Sequence, residues 1–251
     1  MDSISVKNVK KTYTTHSTDI ILNGAKRPST TRTVLEGLDI SFPVGKISVL
    51  LGRSGCGKST LLRLISGEDR VDEGEITLPD GWRCALLAPN PYVITWTSVT
   101  RNVAMAAGAG RTPEERMELA EKLVDLVGLG SYADMTPVEL STGMRQRLGL
   151  ARVLASQAQV LLMDEPFASL DFITRAEQQQ ELLAIQEKMQ KTIVLVTHQL
   201  DEALLLGEKI FVLHADSSVR EFDLTNLPYP RNLDALGELR AAITEECKLD
   251  I

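Results

Sequence analysis

Four short apolar runs recur along the chain, each of a length typical of one buried strand. Val, Ile and Leu dominate these runs, and such a composition is typical of strands that are covered on both faces of a parallel sheet. The runs are Ile47–Leu51, Val160–Met163, Ile193–Val196 and Ile210–Leu213. They predict the central strands of one sheet.

Stretches with helical spacing separate these runs. Ser59–Ser66 is helix-like and ends at Gly67, and Arg175–Gln190 is a polar amphipathic helix. Pro113 is typical of a first helical turn, and apolar positions repeat after it at helical spacing up to a capping Gly128. Strands that alternate with helices predict an α/β fold with a largely parallel sheet. The helical stretch from about 100 to 150 interrupts this alternation, so we expect an inserted helical subdomain.

The remaining segments predict further β structure. Polar and turn-forming residues fill Thr14–Thr33, which predicts a hairpin tip or a long loop. Val34–Phe42 alternates like a strand. Glu75–Leu78 and Cys84–Leu87 are predicted as short strands around the turn Pro79–Gly81.

Composition excludes several classes of protein. The chain has 251 residues, of which 43% are hydrophobic and 24% charged, as in an ordinary globular protein and unlike a disordered or collagen-like one. The net charge of −7 argues against nucleic acid as the main partner, because duplex-binding domains carry a basic surface. Cys56, Cys84 and Cys247 form no CxxC pair, so neither a disulfide framework nor a zinc site is predicted, and a reducing cytosol fits. No run reaches 18 apolar residues, so any association with a membrane is expected to be peripheral.

The most specific chemical signal is Gly52–Ser59, which matches GxxxxGK[ST] between a predicted strand and a predicted helix. Glycines let successive backbone N–H groups face one phosphate chain, and the helix N-terminus adds positive potential. Lys58 would supply a charge to the β- and γ-phosphates, and the Ser59 hydroxyl would coordinate Mg²⁺. The flanking strand and helix disfavour the alternative of a chance glycine-rich turn. The segment therefore predicts a nucleotide site.

Two carboxylates follow the second apolar run. Asp164 and Glu165 come directly after Val160–Met163, at the carboxyl end of a predicted strand, where ligands bind in open α/β sheets. Asp164 is therefore a candidate Mg²⁺ ligand, and Glu165 is a candidate to orient or deprotonate an attacking water. Taken alone, the pair would fit a plain strand-to-loop exit equally well. Beside a phosphate loop, it favours nucleotide hydrolysis.

Three further segments resemble motifs of one family. Leu140–Arg147 (LSTGMRQR) looks like the LSGGQ signature of ABC-type ATPases. Asp164–Asp171 (DEPFASLD) resembles their Walker B motif and D-loop, and Val196–Ala203 (VTHQLDEA) resembles their switch-histidine segment. Together with the phosphate loop, four motifs in the family's order cover nearly the whole chain.

The resemblance implies a fold and a domain organisation. The fold would be a P-loop NTPase (RecA-like) α/β core with a mostly parallel sheet, an N-terminal antiparallel β part and an inserted helical subdomain. Residues 1–251 would form a single ABC ATPase domain. Residues 1–88 and 151–251 would be its catalytic core, and residues 89–150 would hold the Q-loop and the helical signature subdomain.

The resemblance also implies roles for single residues, with ATP and Mg²⁺ as cofactors. Tyr13 resembles the aromatic residue that stacks on adenine, for which an ordinary strand-end tyrosine is the alternative. His198 resembles the histidine that contacts the γ-phosphate and the attacking water, and it would act with Glu165 and Lys58 in catalysis. The expected metal ligands are Ser59 and Asp164. The expected ATP-binding residues are Tyr13, Gly52, Arg53, Ser54, Gly55, Cys56, Gly57, Lys58, Ser59 and Thr60.

The signature segment implies a dimer. Ser141, Thr142, Gly143 and Met144 of one subunit would complete the ATP site of the other, and the D-loop residue Asp171 would report across the interface. The physical basis would be a helix N-terminus and a serine hydroxyl aimed at the γ-phosphate. We expect the second ATPase subunit to be an identical chain.

Two positions depart from the family pattern. Thr142 stands where glycine is usual, and a β-branched side chain reaches φ > 0 poorly, so a modest effect is expected. Matching Pro91, Trp96 and Asn102 to the pattern puts Pro89 at the position of the Q-loop glutamine. Proline has no side-chain donor or acceptor, which predicts weakened Mg²⁺ coordination or weakened coupling.

A subgroup resemblance points to transport. Ile94–Val103 (ITWTSVTRNV), Phe167 and Leu227–Arg231 resemble importer ATPases for nitrate, sulfonate and taurine. This implies membrane permease subunits as partners, a solute-binding protein as an indirect partner and a peripheral place on the cytoplasmic face of the cell membrane. Trp96 and Tyr92 are candidate permease contacts, because amphipathic aromatics are enriched at interfaces. The alternative for Trp96 is packing within the helical subdomain.

The sequence therefore predicts an ATPase (ATP and water to ADP and phosphate) that powers the import of a small solute. The alternative is a regulatory module that binds nucleotide and dimerises but hydrolyses ATP weakly, which Pro89 and Thr142 motivate. A soluble ABC ATPase of DNA repair or translation is disfavoured, because the chain has one phosphate loop and no sustained heptads. His16 and His214 lack any such motif context and are predicted to be solvated.

Overall fold

Two β-sheets organise the part of the chain that the computed structural model describes, residues 3–15, 30–108, 110–168 and 170–248. The strands are β1 (Ser3–Thr15), β2 (Thr30–Pro43), β3 (Ile47–Leu51), β4 (Glu73–Thr77), β5 (Cys84–Leu87), β6 (Val160–Asp164), β7 (Thr192–Val196), β8 (Lys209–Leu213) and β9 (Val219–Asp223). The helices are α1 (Lys58–Ser66), α2 (Val99–Ala106), α3 (Pro113–Leu126), α4 (Thr142–Ala155), α5 (Phe172–Met189), α6 (Leu200–Leu206) and α7 (Gly237–Glu246). Single tight helical turns cover Gly130–Tyr132, Pro137–Glu139 and Leu233–Leu236.

The larger sheet has six strands in the order β5-β6-β7-β3-β8-β9. All neighbours are parallel except the edge strand β9, which runs antiparallel to β8. Strands β3, β6 and β7 are buried along their whole length. The four apolar runs therefore form adjacent central strands, and the predicted α/β fold with a mostly parallel sheet is confirmed.

The smaller sheet has three antiparallel strands in the order β2-β1-β4 and forms the expected N-terminal antiparallel part. Strands β4 and β5, predicted as neighbours around one turn, lie in different sheets, because β4 pairs with β1 and β5 pairs with β6. The turn after Pro79, where the Trp82 N–H donates to the Pro79 carbonyl at 3.0 Å, thus carries the chain from one sheet to the other.

The alternation of side chains along the central strands divides the core into two clusters. On one face, Leu50, Val194 and Phe211 pack with α1 and the three-stranded sheet. On the other face, Val49 and Leu195 pack with the remaining helices. The Phe42 and Phe211 rings meet edge to face, with centroids 5.3 Å apart, and join the two sheets. Both faces of the parallel sheet are covered, as its apolar composition requires.

Helices α2, α3 and α4 lie between β5 and β6 in the chain and pack against one another. The start of α3 is defined by Pro113 in its first turn and by a capping box between Thr112 and Glu115. Asn102 in α2 is fully buried, and its side-chain amide donates to the carbonyl groups of Ile94, Thr97 and Ser98. This amide holds the segment before α2 in one conformation.

Two sequence predictions outside the site have different outcomes. His214 is buried, and its Nε2 lies 3.1 Å from Glu246 Oε1 in α7, so the prediction that it is solvated is wrong. The reason is tertiary, because α7 returns over the end of β8. His16 lies outside the described residues, as does most of Thr14–Thr33, whose two ends pair as Thr15 with Thr30.

Among the described helices, none has the length and apolar character needed to cross a membrane.

The segment Leu227–Arg231 closes the C-terminal end of α6. The buried Arg231 guanidinium donates to the carbonyl oxygens of Leu204 at 2.8 Å and Gly207 at 2.6 Å. The Tyr229 hydroxyl donates to the Leu206 carbonyl at 2.6 Å, and the guanidinium lies 4.3 Å from the Tyr229 ring centroid. Side chains thereby satisfy carbonyl groups that a helix end leaves without partners.

We expect Arg231→Met to lower the free energy of unfolding by about 2–4 kcal/mol, because buried carbonyl groups would lose charged donors. Urea denaturation of both proteins measures the difference. The matched control is Arg220→Met on the exposed surface of β9, for which a change within about 0.5 kcal/mol is expected. Equal effects of the two substitutions would contradict the structural role of Arg231.

Candidate functional site

A cavity of about 540 Å³ opens at the carboxyl ends of the central parallel strands. This position is where ligands bind in open α/β sheets. Its walls come from the phosphate-loop segment, from the ends of β6 and β7 and from the three-stranded sheet. The lining residues are Tyr13, Arg32, Val34, Ser54, Gly55, Gly57, Lys58, Ser59, Thr60, Pro89, Asp164, Glu165 and Val196.

The loop between β3 and α1 has a backbone that requires glycine at two positions. Gly52 has φ 151° and Gly57 has φ 109°, a region that favours glycine. A Cβ atom at Gly52 would lie 2.4 Å from the Leu213 carbonyl oxygen, and one at Gly57 would lie 2.6 Å from Leu35 Cδ2. The loop then enters α1 at Lys58, so its backbone N–H groups and the positive end of the helix dipole share one location.

The Lys58 side chain is folded over this loop. Its ammonium group donates to the carbonyl oxygens of Gly52 at 2.7 Å and Arg53 at 2.9 Å. The residue is only 8% exposed, so its charge faces the cavity with little access to bulk water. A fixed, poorly solvated cation beside backbone N–H groups favours an anionic ligand.

Asp164 and Glu165 differ in environment although they are neighbours. Asp164 ends β6 and is 5% exposed, and burial raises the pKa of its carboxyl group while a hydrogen bond from Ser59 opposes this shift. Glu165 has φ 52°, and its N–H donates to the Val196 carbonyl at 3.0 Å. The Glu165 carboxylate lies 2.7 and 2.9 Å from His198 Nδ1. Left-handed backbone at a non-glycine residue costs about 1–2 kcal/mol and is typical of functional sites.

The oxygen atoms of Ser59 and Asp164 form a suitable pair of Mg²⁺ ligands. Both residues line the cavity, and the Ser59 hydroxyl is close enough to Asp164 to oppose the rise in the pKa of its carboxyl group. Mg²⁺ is usually held by one or two protein oxygens together with water and substrate phosphates. Among the described residues no group of three or more His, Cys, Asp or Glu could hold a metal ion by itself. The donor set therefore fits a metal that binds together with a phosphate ligand.

Tyr13 is held in the cavity wall by a network that the sequence did not predict. Its hydroxyl donates to Asp69 Oδ2 at 2.6 Å, and the Lys11 ammonium donates to Asp69 Oδ1 at 2.9 Å. The same ammonium lies 5.1 Å from the Tyr13 ring centroid. The hydrogen bond from Tyr13, followed by that from Lys11, lowers the pKa of Asp69 to about 2. Asp69 lies far from Tyr13 in the chain, so no local sequence signal could have found it.

Two lining residues were missed because the sequence placed them at the boundary of a loop. Arg32 and Val34 lie on β2, within or next to the stretch Thr14–Thr33 that was predicted as a loop. The polar positions of Thr30–Arg32 gave no alternation from which a strand could be inferred. Pro89, at the predicted Q-loop position, does lie in the cavity wall.

Several predicted site residues do not line this cavity. Gly52 is not among its lining residues, while Arg53 and Cys56 line an adjoining cavity of about 310 Å³ together with Arg32. Ser141 is the N-cap of α4, where its hydroxyl accepts from the Met144 N–H at 3.3 Å. The residues of the predicted signature and D-loop that lie away from the cavity are Ser141, Thr142, Gly143, Met144 and Asp171.

Thr142 is accommodated without backbone strain. It is the first residue of α4 and has a negative φ, so the position does not need the left-handed conformation that would exclude a β-branched side chain. Asp171 is the N-cap of α5, and its carboxylate accepts from the Thr174 N–H at 3.0 Å. Both helix starts therefore have their own side-chain caps.

Trp96 and Tyr92 lie on the surface, with exposures of 84% and 80%. The alternative that Trp96 packs inside the helical subdomain is therefore wrong. Pro91, beside Tyr92, packs against Gly149 of α4 so closely that a Cβ atom at Gly149 would lie 2.4 Å from Pro91 Cβ. This contact fixes the exposed segment to the helices.

Comparison with known proteins identifies relatives of the whole arrangement. The profile of the family described as ABC transporter matches residues 35–168, more than half of the chain. The aliphatic sulfonates import ATP-binding protein SsuB of Granulibacter bethesdensis is 39% identical over 199 residues, which are 79% of this chain and 81% of that protein. The taurine import ATP-binding protein TauB of Rhizobium johnstonii is 40% identical over 226 residues, 86% of this chain and 85% of that protein.

Other relatives are longer than this chain. The bicarbonate transport ATP-binding protein CmpC of Synechocystis sp. is 42% identical over 189 residues, 71% of this chain, but the match spans only 28% of that protein. Among solved structures, the dimeric post-hydrolysis state of the ATP-binding cassette MJ0796 bound to ADP and Pi has a TM-score of 0.75 and 28% identity. It covers 88% of this chain and 98% of that chain.

The Asp69 network predicts a pH dependence of stability. The folded-state pKa of about 2 lies below the ordinary 3.8, so the ionised carboxylate stabilises the fold above about pH 4, and this contribution is lost as the pH falls toward 2. Because the side chain is 28% exposed, we expect only about 1 kcal/mol after solvent screening. Urea denaturation at pH 6 and pH 3 should show a smaller acid loss for Asp69→Asn than for the wild type. The control is Asp80→Asn, in an exposed turn. If Asp69→Asn loses as much unfolding free energy between pH 6 and pH 3 as the wild type does, the network does not stabilise the fold.

Proposed function

Because this chain belongs to the ABC transporter family of ATP-binding proteins, we propose that it is an ATP-hydrolysing subunit that powers the import of a small solute. The observation that carries the proposal is the convergence of the phosphate loop, Asp164 and Glu165 on one cavity, with His198 bonded to Glu165. The named sulfonate, taurine and bicarbonate transport proteins suggest a small, charged solute of that kind.

The chemistry assigned to the site is attack of water on the γ-phosphate of ATP. The phosphate loop and Lys58 bind the phosphate chain, and the Glu165 carboxylate accepts a proton from the attacking water. His198 orients the Glu165 carboxylate through its Nδ1 and adds a contact for the γ-phosphate. Bound Mg²⁺, held by Ser59 and Asp164, would neutralise charge on the phosphate oxygens. The raised pKa of Asp164 favours a site whose negative charge is completed by a cation.

We assign the active form to a dimer in which each chain completes the partner's site. The residues Ser141, Thr142, Gly143 and Met144 lie outside the chain's own cavity, which fits action in trans. After Asp171, the side chains of Phe172 and Ile173 are 83% and 69% exposed, as an apolar interface would need. The relative MJ0796 is described as a dimer, which supports the same assembly.

We further propose that residues 89–150 form the unit that docks on membrane permease subunits, while residues 1–88 and 151–251 form the catalytic core. The exposed Trp96 and Tyr92 are the docking contacts, because both are large and amphipathic, and Tyr92 lies beside α4. In this arrangement the chain is peripheral on the cytoplasmic face of the membrane, and a solute-binding protein acts only through the permease. The absence of permease genes beside its own gene would count against import.

Glu165→Gln tests the hydrolytic assignment directly. The amide cannot accept the proton of water, so we expect Mg²⁺-dependent phosphate release to fall by about 100-fold or more while ATP binding is kept. The control Glu187→Gln changes an exposed glutamate on α5 and should leave turnover as it is. Unchanged turnover in Glu165→Gln would remove Glu165 from catalysis. ATP binding without turnover in the wild type, even with permease present, would favour the regulatory alternative.

Pro89 is the specific observation that favours that alternative, because it occupies the cavity wall without a polar side chain. We expect Pro89→Gln to raise turnover severalfold and to lower the Mg²⁺ concentration needed for half-maximal rate. The control Pro113→Gln lies in the exposed first turn of α3 and is not among the lining residues of the cavity. If Pro89→Gln has the turnover and Mg²⁺ dependence of the wild type, the missing glutamine has no kinetic consequence.

A further inference from the structure

Arg32 lies beside Tyr13 in the wall of the candidate nucleotide cavity. The two residues are direct partners in the antiparallel pairing of β1 with β2. Side chains of directly opposed residues lie on the same face of a sheet, with Cβ atoms about 5 Å apart. Both residues line the cavity that also contains the phosphate loop. The smaller sheet thus contributes a cation as well as an aromatic ring.

The guanidinium of Arg32 is already directed to the phosphate loop. Its Nη2 donates to the Gly55 carbonyl oxygen at 3.3 Å, and a Cβ atom at Gly55 would lie 3.5 Å from the same nitrogen. Gly55 stands in the middle of the loop, between Gly52 and Lys58. Arginine has five N–H donors in a planar fork, so one bond to Gly55 leaves donors for a ligand. The loop contact holds the fork near the place that a phosphate chain would occupy.

The order of groups along the cavity indicates which part of a nucleotide Arg32 meets. Asp164 and Glu165 come from the end of β6, where the terminal phosphate reacts in the proposed function. Tyr13 lies at the other sheet, where the base would stack. Arg32 is the register partner of Tyr13 on that sheet, and its guanidinium contacts the loop at Gly55. The part of a nucleotide that connects base and terminal phosphate is the ribose with its α- and β-phosphates.

We infer that Arg32 binds the α- and β-phosphates of the bound nucleotide and sets the affinity for ATP and ADP alike. This inference rests on the proposed function, since it assigns a ligand contact within the same site. Guanidinium–phosphate hydrogen bonds are charge-assisted and often bidentate, so they hold a phosphate in one orientation. Lys58 would then bind the nucleotide near its terminal phosphate. Arg32 would bind the α- and β-phosphates, which remain in ADP after hydrolysis.

The test is the dissociation constant of ATP and of ADP, measured by calorimetry with wild type, Arg32→Gln and Arg32→Lys. We expect Arg32→Gln to weaken both nucleotides by a similar factor of about 5 to 20. Arg32→Lys keeps the positive charge but lacks the planar fork of donors. Its dissociation constants should therefore lie between those of the wild type and those of Arg32→Gln. The control Arg220→Gln removes an exposed strand arginine that is not among the lining residues of the cavity, so it should change neither constant. Thermal unfolding of each variant checks that the β1–β2 pairing is intact.

Two results would overturn the inference while leaving the proposed function in place. One is an Arg32→Gln variant that is folded and binds ATP and ADP as tightly as the wild type. The other is a loss confined to ATP, which would place the guanidinium on the γ-phosphate. Failure of the proposed function looks different, because the wild type itself would then bind neither nucleotide and Lys58→Ala would have no effect on binding.

Discussion

The rest of the structure depends on the close packing of the phosphate-loop backbone between the two sheets. At its start, Gly52 lies against the carbonyl of Leu213 at the end of β8, and at its end, Gly57 lies against Leu35 of β2. Neither position has room for a Cβ atom. The two contacts therefore fix the conformation of the loop and its distance from each sheet. The position of every other group at the site follows from this contact, because each is attached to one of the two sheets.

The two sheets contribute different parts of the site. Parallel pairing of Asp164 with Val196 brings Glu165 and His198 together, since each follows its strand by one or two residues. The parallel sheet therefore positions the two residues proposed to act at the terminal phosphate. The antiparallel sheet supplies Tyr13 and Arg32 through a single register pair, and the Asp69 network ties Tyr13 to the segment after α1. The residues proposed to bind the nucleotide and those proposed to react at its terminal phosphate thus belong to different sheets, which meet at the loop.

The predicted signature and D-loop residues lie at the starts of two helices, away from the chain's own cavity. The starts of α4 and α5 are capped by Ser141 and Asp171 and carry the signature and D-loop segments. Neither segment lines the chain's own cavity. Phe172 and Ile173 form one exposed apolar surface, and Trp96 and Tyr92 form an exposed aromatic one. These are the surfaces proposed above for dimerisation and for docking.

The sequence by itself determined the buried strands, the glycine loop and the order of the motifs, because these depend on local periodicity and on residue types with few alternative uses. It predicted Tyr13, Lys58, Asp164, Glu165 and Pro89 as site residues, and all of them line the cavity. Only the tertiary structure decided the contacts between distant segments. Asp69 meets Tyr13, Arg32 meets Gly55, and α7 buries His214, each through elements far apart in the chain. Strands β4 and β5 lie in different sheets for the same reason. Strand pairing depends on which strand edge is available and on burial, and the local sequence specifies neither.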